Sequence, residues 1–323
     1  MCVTCAPNSP WRWRSRSNAD ASGFFPNQAP LRTPLPSVFT GRCMAALTAP
    51  RSSVPFRLLA RPLALVWRQR VLLRRMTWRE ISSRYRESVL GTIWAVINPL
   101  LMLSIYTFVF GFMLKTRWPG QGDNKLLFAI TLFAGLIVNA LFAETVNRST
   151  TVITENANYV KKVVFPLEML PLVVLGSALF HAAVSFGILV VANALVGTGL
   201  HWTLVLLPLV VAPVLLATAG AGWILAALGV FLRDASQIVA FLTACLMFLS
   251  PIFYPLTSFP AGMRHWLFLN PLTLPVVQVR QVVIEGVLPA WRDLGVSYAV
   301  GLVVAAIGLW LFERTRQGFA DVV

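Results

Sequence analysis

The chain has 323 residues, of which 57% are hydrophobic and only 12% charged, with a formal net charge of +15. Soluble domains carry about 25% charged residues, so the composition excludes an ordinary soluble globule and indicates a membrane protein. The basic excess is local: residues 1–86 carry a net +13 and the remainder only +2, which marks a cytoplasmic flank under the positive-inside rule rather than a nucleic-acid site.

Residues 1–55 are rich in Pro, Ser and Arg and have no apolar period. They lack the apolar core of a secretory signal and read as a disordered extension, with Met44 as an alternative start. The four cysteines, Cys2, Cys5, Cys43 and Cys245, form neither a disulfide nor a zinc framework, and no metal is expected. Residues 56–88 interleave Leu58, Leu63, Trp67, Val71 and Trp78 with Arg61, Arg68, Arg74, Arg75 and Arg79. From Ala64 onward this suits a helix lying in the membrane interface, apolar groups toward the acyl boundary and guanidiniums at the headgroups. Pro62 fits best near its first turn.

After Glu87 no charge occurs until Lys115, and the chain enters lipid. A bilayer core needs about 20 apolar residues per helix. Six spans are predicted, at about 89–114, 126–143, 168–196, 203–232, 236–254 and 295–312, with a seventh as the competing count. Pro99 removes a hydrogen bond and kinks the first span; Pro208 and Pro213 bend the fourth. The stretch from Tyr254 to Arg292 is apolar but interrupted by Pro255, Pro260, Pro271, Pro275 and Pro289. Backbone broken this way cannot face lipid, so short outer helices packed on the protein are expected there. With both termini cytoplasmic, Lys and Arg favour the inside, Arg280 being assigned outside.

The spans offer little chemistry. His181 is the one histidine clearly within a span, Glu144, Glu155 and Glu168 fall at or beyond span ends, and there is no HExxH, GxSxG or G-x-x-x-x-G-K-[ST] motif. "GQGDNK" lacks the phosphate-loop spacing. Buried carboxylates of an ion-coupled transporter are likewise missing, so any transport draws its energy from elsewhere. The polar loop from Glu144 to Pro171 is long for a connector, and Thr151–Tyr159 suits a short surface helix that docks a soluble partner. Trp94, Asn98, Tyr106, Phe108, Phe110 and Phe112 cluster on the first span; rings facing a pore would stack on sugar faces. Ala178/Ala182, Ala183/Gly187, Gly222/Ala226 and Gly301/Ala305 permit close helix packing.

Four segments occur in order: "RYRESVLGTIWAVINPLLMLSIYTFVFG", "NANYVKKVVFPLEMLPL", "RDASQIVAFLTACLMFLSPIFYP" and "LNPLT". Together they resemble the permease subunit of ABC-2-type polysaccharide exporters, over about residues 56–316. The resemblance implies an all-α polytopic fold with six spans per subunit, divided as a gate helix at 56–88, a transmembrane domain at 89–316 and a cytoplasmic tail at 317–323. It implies a homodimer in the bacterial inner membrane, in contact with membrane lipid, with two copies of a separate ABC ATPase subunit carrying Mg-ATP, and no catalytic residue or cofactor here. The gate helix would include Trp67, Arg74, Arg75, Trp78, Arg84 and Tyr85. The coupling helix would include Thr151, Glu155, Asn156, Tyr159 and Lys161. An undecaprenyl-linked glycan, O-antigen or capsule-like, would thread between the two permeases. Two alternatives stand beside this: an ABC-2 permease for a drug, haem or lipid, and a membrane-embedded acyl- or glycosyltransferase centred on His181.

Overall fold

Among the described residues the long apolar runs are helical, since backbone groups in lipid must be satisfied within their own segment. The computed structural model describes residues 54–86, 88–113, 125–160, 165–196, 199–254, 267 and 270–319. Of the extension expected at 1–55, residues 1–53 lie outside the described residues while 54 and 55 are already helical, and of the tail expected at 317–323, residues 320–323 lie outside them. In chain order the helices are α1 (Val54–Arg68), α2 (Arg70–Tyr85), α3 (Trp94–Tyr106), α4 (Lys125–Ser149), α5 (Val152–Glu155), α6 (Ala157–Val160), α7 (Met169–Val196), α8 (Leu207–Phe231), α9 (Ala235–Leu249), α10 (Thr273–Arg280) and α11 (Trp291–Thr315). No strand occurs among the described residues.

Five helical stretches are long and apolar enough to span a membrane: Gly91–Phe110, Leu126–Ser149, Met169–Leu195, Trp202–Phe231 and Trp291–Gly318. The predicted fifth crossing, at 236–254, forms only the 15-residue α9, about 22 Å long at 1.5 Å per residue. Its chain leaves the helix at Ser250, whose backbone is extended, just before Pro251. Pro99 lies inside α3, and the irregularity on this span comes at Thr107–Met113, which winds as a π-helix.

Residues 56–88 form two helices instead of one. Gln69 interrupts them with φ −104° and ψ 14°, although hydrogen bonds from Gln69 N–H to the Leu65 carbonyl and from Leu73 N–H to the Gln69 carbonyl continue across it. Pro62 is not in a first turn; it is buried in the middle of α1, which begins at Val54. At the other end, packing continues past the expected domain limit, since Phe319 is fully buried against Phe312 and Phe231.

The core is centred on α4. In its most apolar window 72% of residues are buried, against 6% for the stretch containing α3. Helices α7, α8, α9 and α10 pack around α4. Apolar contact between helices gives no hydrophobic gain in lipid, so close backbone approach and polar bonds must hold the bundle. Helices α8 and α11 supply the first, crossing at Gly220 and Gly308: a Cβ built on Gly308 would lie 2.3 Å from the Gly220 carbonyl oxygen. Gly222 and Gly301 meet neighbouring helices and Ala178 and Ala182 are buried, but Gly187 faces open space.

Polar bonds hold α10. Val276, Val279, Val282 and Val283 are fully buried, and Arg280, counted on the outer side from the sequence, is only 5% exposed. It donates through Nε to the Thr131 carbonyl at 2.9 Å, and through Nη1 and Nη2 to the Pro251 and Ile252 carbonyls at 2.6 and 2.7 Å. One guanidinium thereby satisfies the backbone freed where α9 ends. Asn270 assists by donating to the Leu246 carbonyl and Ser250 Oγ.

The α8–α11 crossing makes a paired prediction. Gly308→Ala forces two backbones apart and costs about 1–3 kcal/mol, whereas Gly187→Ala, in open space, leaves stability unchanged or raises it by up to about 1 kcal/mol. Thermal unfolding in detergent measures both; equal loss in the two variants contradicts the close-approach assignment.

Candidate functional site

Where α2 ends against α3, α4 and α7, the bundle leaves a cavity of about 440 Å³. Helix α3 lines it with Trp94, Asn98 and Tyr106, α4 with Asn139 and Glu144, α7 with His181 and Ser185, α2 with Arg84 and Tyr85, and α9 with Met247. Phe133, Leu136 and Ile137 form an apolar wall. The cavity thus brings rings, amides and charges together on one surface. Asn139 is 7% exposed, and its Oδ1 has no hydrogen-bond partner among the described residues. A buried amide oxygen left unpaired is costly unless water or a ligand reaches it.

A charged cluster closes the cavity on the α2 side. Arg84 Nη1 donates to Glu144 Oε1. His181 Nδ1 lies 3.3 Å from Glu144 Oε2 and 3.3 Å from Arg84 Nη1. The Tyr85 hydroxyl lies 2.9 Å from His181 Nε2. With the proton on Nδ1, His181 donates to the carboxylate and Nε2 accepts from Tyr85. Burial, the largest cause, raises the Tyr85 phenol above its ordinary range, and nearby Glu144 adds to this while Arg84 opposes it; the hydroxyl therefore remains a donor at neutral pH. Arg148 Nη1 stands 3.8 Å from Glu144 Oε1, and Arg148 Nη2 donates to Glu80. Three helices are joined by side chains that would each be costly to leave unpaired in an apolar setting.

This corrects the placement of Glu144. The second span does not stop at 143; α4 continues to Ser149, and Glu144 sits inside the helix with its charge matched by Arg84. His181, offered as a catalytic centre under one alternative, is occupied on both ring nitrogens by neighbouring side chains. Glu168 is also buried, paired with Arg316, while its carbonyl accepts from Trp223 Nε1 at 2.9 Å.

The loop after α4 lies beside the same helix end. In place of one helix over Thr151–Tyr159 there are two four-residue turns, α5 and α6, separated at Asn156, whose Nδ2 donates to the Val152 carbonyl at 2.9 Å. Val152 and Ile153 are buried, so the loop is anchored, while Glu155 remains exposed. Tyr159 stacks on Phe165 with ring centroids 4.5 Å apart, and its hydroxyl accepts from Arg79 Nη2 at 2.7 Å. The α5–α6 loop therefore touches α2 through Arg79–Tyr159, and the end of α4 touches it through Glu80–Arg148. Lys161 lies outside the described residues.

The predicted site residues divide cleanly. Trp94, Asn98 and Tyr106 share the cavity with Arg84 and Tyr85. Phe108 points away, 60% exposed; Phe110 packs on Phe128 and Phe253 at 6.0 Å; the side chain of Phe112 is outside the described residues. Trp67, Arg74, Arg75 and Trp78 face outward on α1 and α2. Asn139, Glu144 and Ser185 were missed as cavity residues. A polar position within an otherwise apolar helix was the available signal for Asn139 and Ser185.

Because Arg84 and Glu144 share one cluster, their substitutions should not add. A double-mutant cycle on Arg84→Ala and Glu144→Ala, read from thermal unfolding in detergent, is expected to give a coupling of about 0.5–3 kcal/mol. Additive losses would mean that the two side chains do not hold α2 together with α4.

The model of the ABC-2 type transporter family matches residues 71–284. The chain is 29% identical over 260 residues to the O-antigen export system permease protein RfbA of Myxococcus xanthus, covering 80% of this chain and 97% of that protein. It is 27% identical over 250 residues to RfbA of Klebsiella pneumoniae, covering 77% and 93%. It is 28% identical over 253 residues to the polysialic acid transport protein KpsM of Escherichia coli, covering 77% and 95%.

Proposed function

Because the chain belongs to the ABC-2 type transporter family, we propose that it is the membrane permease of an ATP-driven exporter of lipid-linked polysaccharide, O-antigen or capsule-like. It works in a bacterial inner membrane with both termini in the cytoplasm. Helices α3, α4, α7, α8, α9 and α11 are its six crossings, α9 being completed by the chain that follows it. The short α10 packs as an outer helix between the last two crossings. Helices α1 and α2 form the gate element at the cytoplasmic interface. Two copies pair with two copies of an ABC ATPase subunit, which holds Mg-ATP; this chain supplies no catalytic group.

One observation carries the reading: α3 lines a polar, ring-bearing cavity on one side and is otherwise hardly covered. Val96, Leu101 and Ile105 are exposed on it, as are Phe241 and Phe248 on α9. A second copy set against these helices would convert an open cavity into an enclosed passage. Trp94 and Tyr106 would then offer faces on which sugar rings slide, and Asn98 and Asn139 would exchange hydrogen bonds with successive hydroxyls. The length and similarity of the match to permeases named for O-antigen export and polysialic acid transport support a glycan cargo.

The coupling path follows from the contacts. Closure of the ATPase pushes on α5 and α6 at Thr151, Glu155, Asn156 and Tyr159, with Lys161 adjoining. That displacement parts Tyr159 from Arg79 and so frees α2, which carries Arg84 and Tyr85 at the cavity wall. Movement of α2 by the length of one hydrogen bond is enough to exchange the Arg84–Glu144 pairing for solvent or for the diphosphate of the cargo.

Deletion of the gene should abolish surface glycan while undecaprenyl-linked chains accumulate inside; normal surface glycan would overturn the cargo assignment. In the restored strain, Glu155→Lys is expected to lower export about 5–150-fold, the span of ordinary coupling free energies, with normal membrane insertion. A variant that stimulates the ATPase and exports like the wild type would remove α5 from the docking site.

A further inference from the structure

Helices α2 and α7 touch where Thr77 meets Gly176: a Cβ on Gly176 would lie 2.7 Å from Thr77 Oγ1. Beside this contact they part to leave an open groove of about 1150 Å³, much larger than the central cavity. Its α7 wall is apolar, formed by Leu179 and Phe180; its α2 wall presents Trp78 together with Arg70, Arg74 and Arg75. Among the described residues no acidic side chain lines it. The nearest carboxylate in sequence, Glu80, is engaged by Arg148, so it does not neutralise the three arginines. Arg70 lies over the Trp67 ring at 4.8 Å, while Arg74 and Arg75 are exposed. Along α7 the groove runs from Gly176 to Ala183, seven residues or about 10 Å of a helix long and apolar enough to span the membrane.

An apolar trough of that depth with cationic groups on one wall has the polarity of a single amphiphile: acyl chain along α7, anionic headgroup at the guanidiniums. Arginine suits this role because its fork binds phosphate oxygens in pairs. From these features we infer that the α2–α7 groove binds an anionic phospholipid of the cytoplasmic leaflet, with Arg74 and Arg75 on the phosphate and Trp78 beside the upper acyl chain. The bound lipid would act as a wedge under α2, so that lipid composition sets how firmly the gate element rests on α7. This site is separate from the central cavity, and it rests on α2 lying at the membrane surface as proposed above.

The test uses the full chain in vesicles of phosphatidylcholine containing a minor fraction of acyl-brominated lipid, either phosphatidylglycerol or phosphatidylcholine. Fluorescence quenching of Trp78 is read as the difference between wild type and Trp78→Phe. Brominated phosphatidylglycerol should quench more strongly, and Arg74→Ala with Arg75→Ala should cut the headgroup preference by at least about fivefold, the effect of one basic residue at an anionic surface. Arg74→Lys with Arg75→Lys, which keeps the charge, should retain most of it. Equal quenching by the two lipids would leave α2 at the membrane but remove the headgroup site. Quenching by neither would remove the interfacial placement of α2 and the site with it. Displacement of the quencher by an equimolar polyprenyl diphosphate would assign the groove to cargo and overturn the proposal.

Discussion

A carboxylate inside a membrane helix must be matched, and in this protein Glu144 on α4 is matched by groups from other elements. Arg84 comes from α2 and His181 from α7, with Tyr85 bonded to the far side of the imidazole. The desolvation cost of leaving any of these unpaired fixes where α2 ends. That position in turn determines the outline of the cavity, since Arg84 and Tyr85 form part of its wall. The same cluster reaches Arg148, one turn further along α4, and through it Glu80. The seat of α2 is thus electrostatic more than apolar, with only Met76 and Ile81 of that helix buried. Under the proposed function, such a seat could be exchanged for another set of polar partners at less cost than an apolar one.

The α5–α6 loop gains its interest from where it is anchored. Val152 and Ile153 hold it to the bundle, Tyr159 holds it to Arg79, and its outer face keeps Glu155 exposed. Force applied to that face has a short route to α2. Resistance comes from the tightly crossed α8–α11 pair and from Arg280, which ties α10 to α4 and to the chain after α9. Under the proposed function, this rigid half and the more loosely seated α2 would act as a lever, with the thinly covered α3 at its moving side.

Much of this was legible in the sequence because lipid imposes simple rules. Long apolar runs forecast α3, α4, α7, α8 and α11, and the polar positions Trp94, Asn98 and Tyr106 on the first of them do face the cavity. Proline spacing forecast the broken segment that yields α10. The failures share a cause, which is that tertiary partners override local signals. The charges Glu144 and Arg148 read as the end of a span, yet α4 runs through them because Arg84, His181 and Glu80 satisfy them. Arg280 was counted only as an outer-side charge, and nothing local showed that three carbonyls hold it in the interior. Pro62 read as a helix start, although α1 accommodates it in its interior. Nothing in "VWRQRVLL" forecast the interruption at Gln69, where neither Gly nor Pro stands. The pairing of the α5–α6 loop with α2 was likewise invisible, since no local pattern links Arg79 to Tyr159.

In the proposed cycle, displacement of α2 relative to the α5–α6 loop opens the passage. In a background with the four native cysteines replaced, Arg79→Cys and Tyr159→Cys can be joined by a short bismaleimide in the assembled complex with its ATPase. The account predicts that the cross-linked complex still hydrolyses ATP but exports no glycan, while either single-cysteine variant treated with the same reagent keeps exporting. Undiminished export by the cross-linked complex would contradict it.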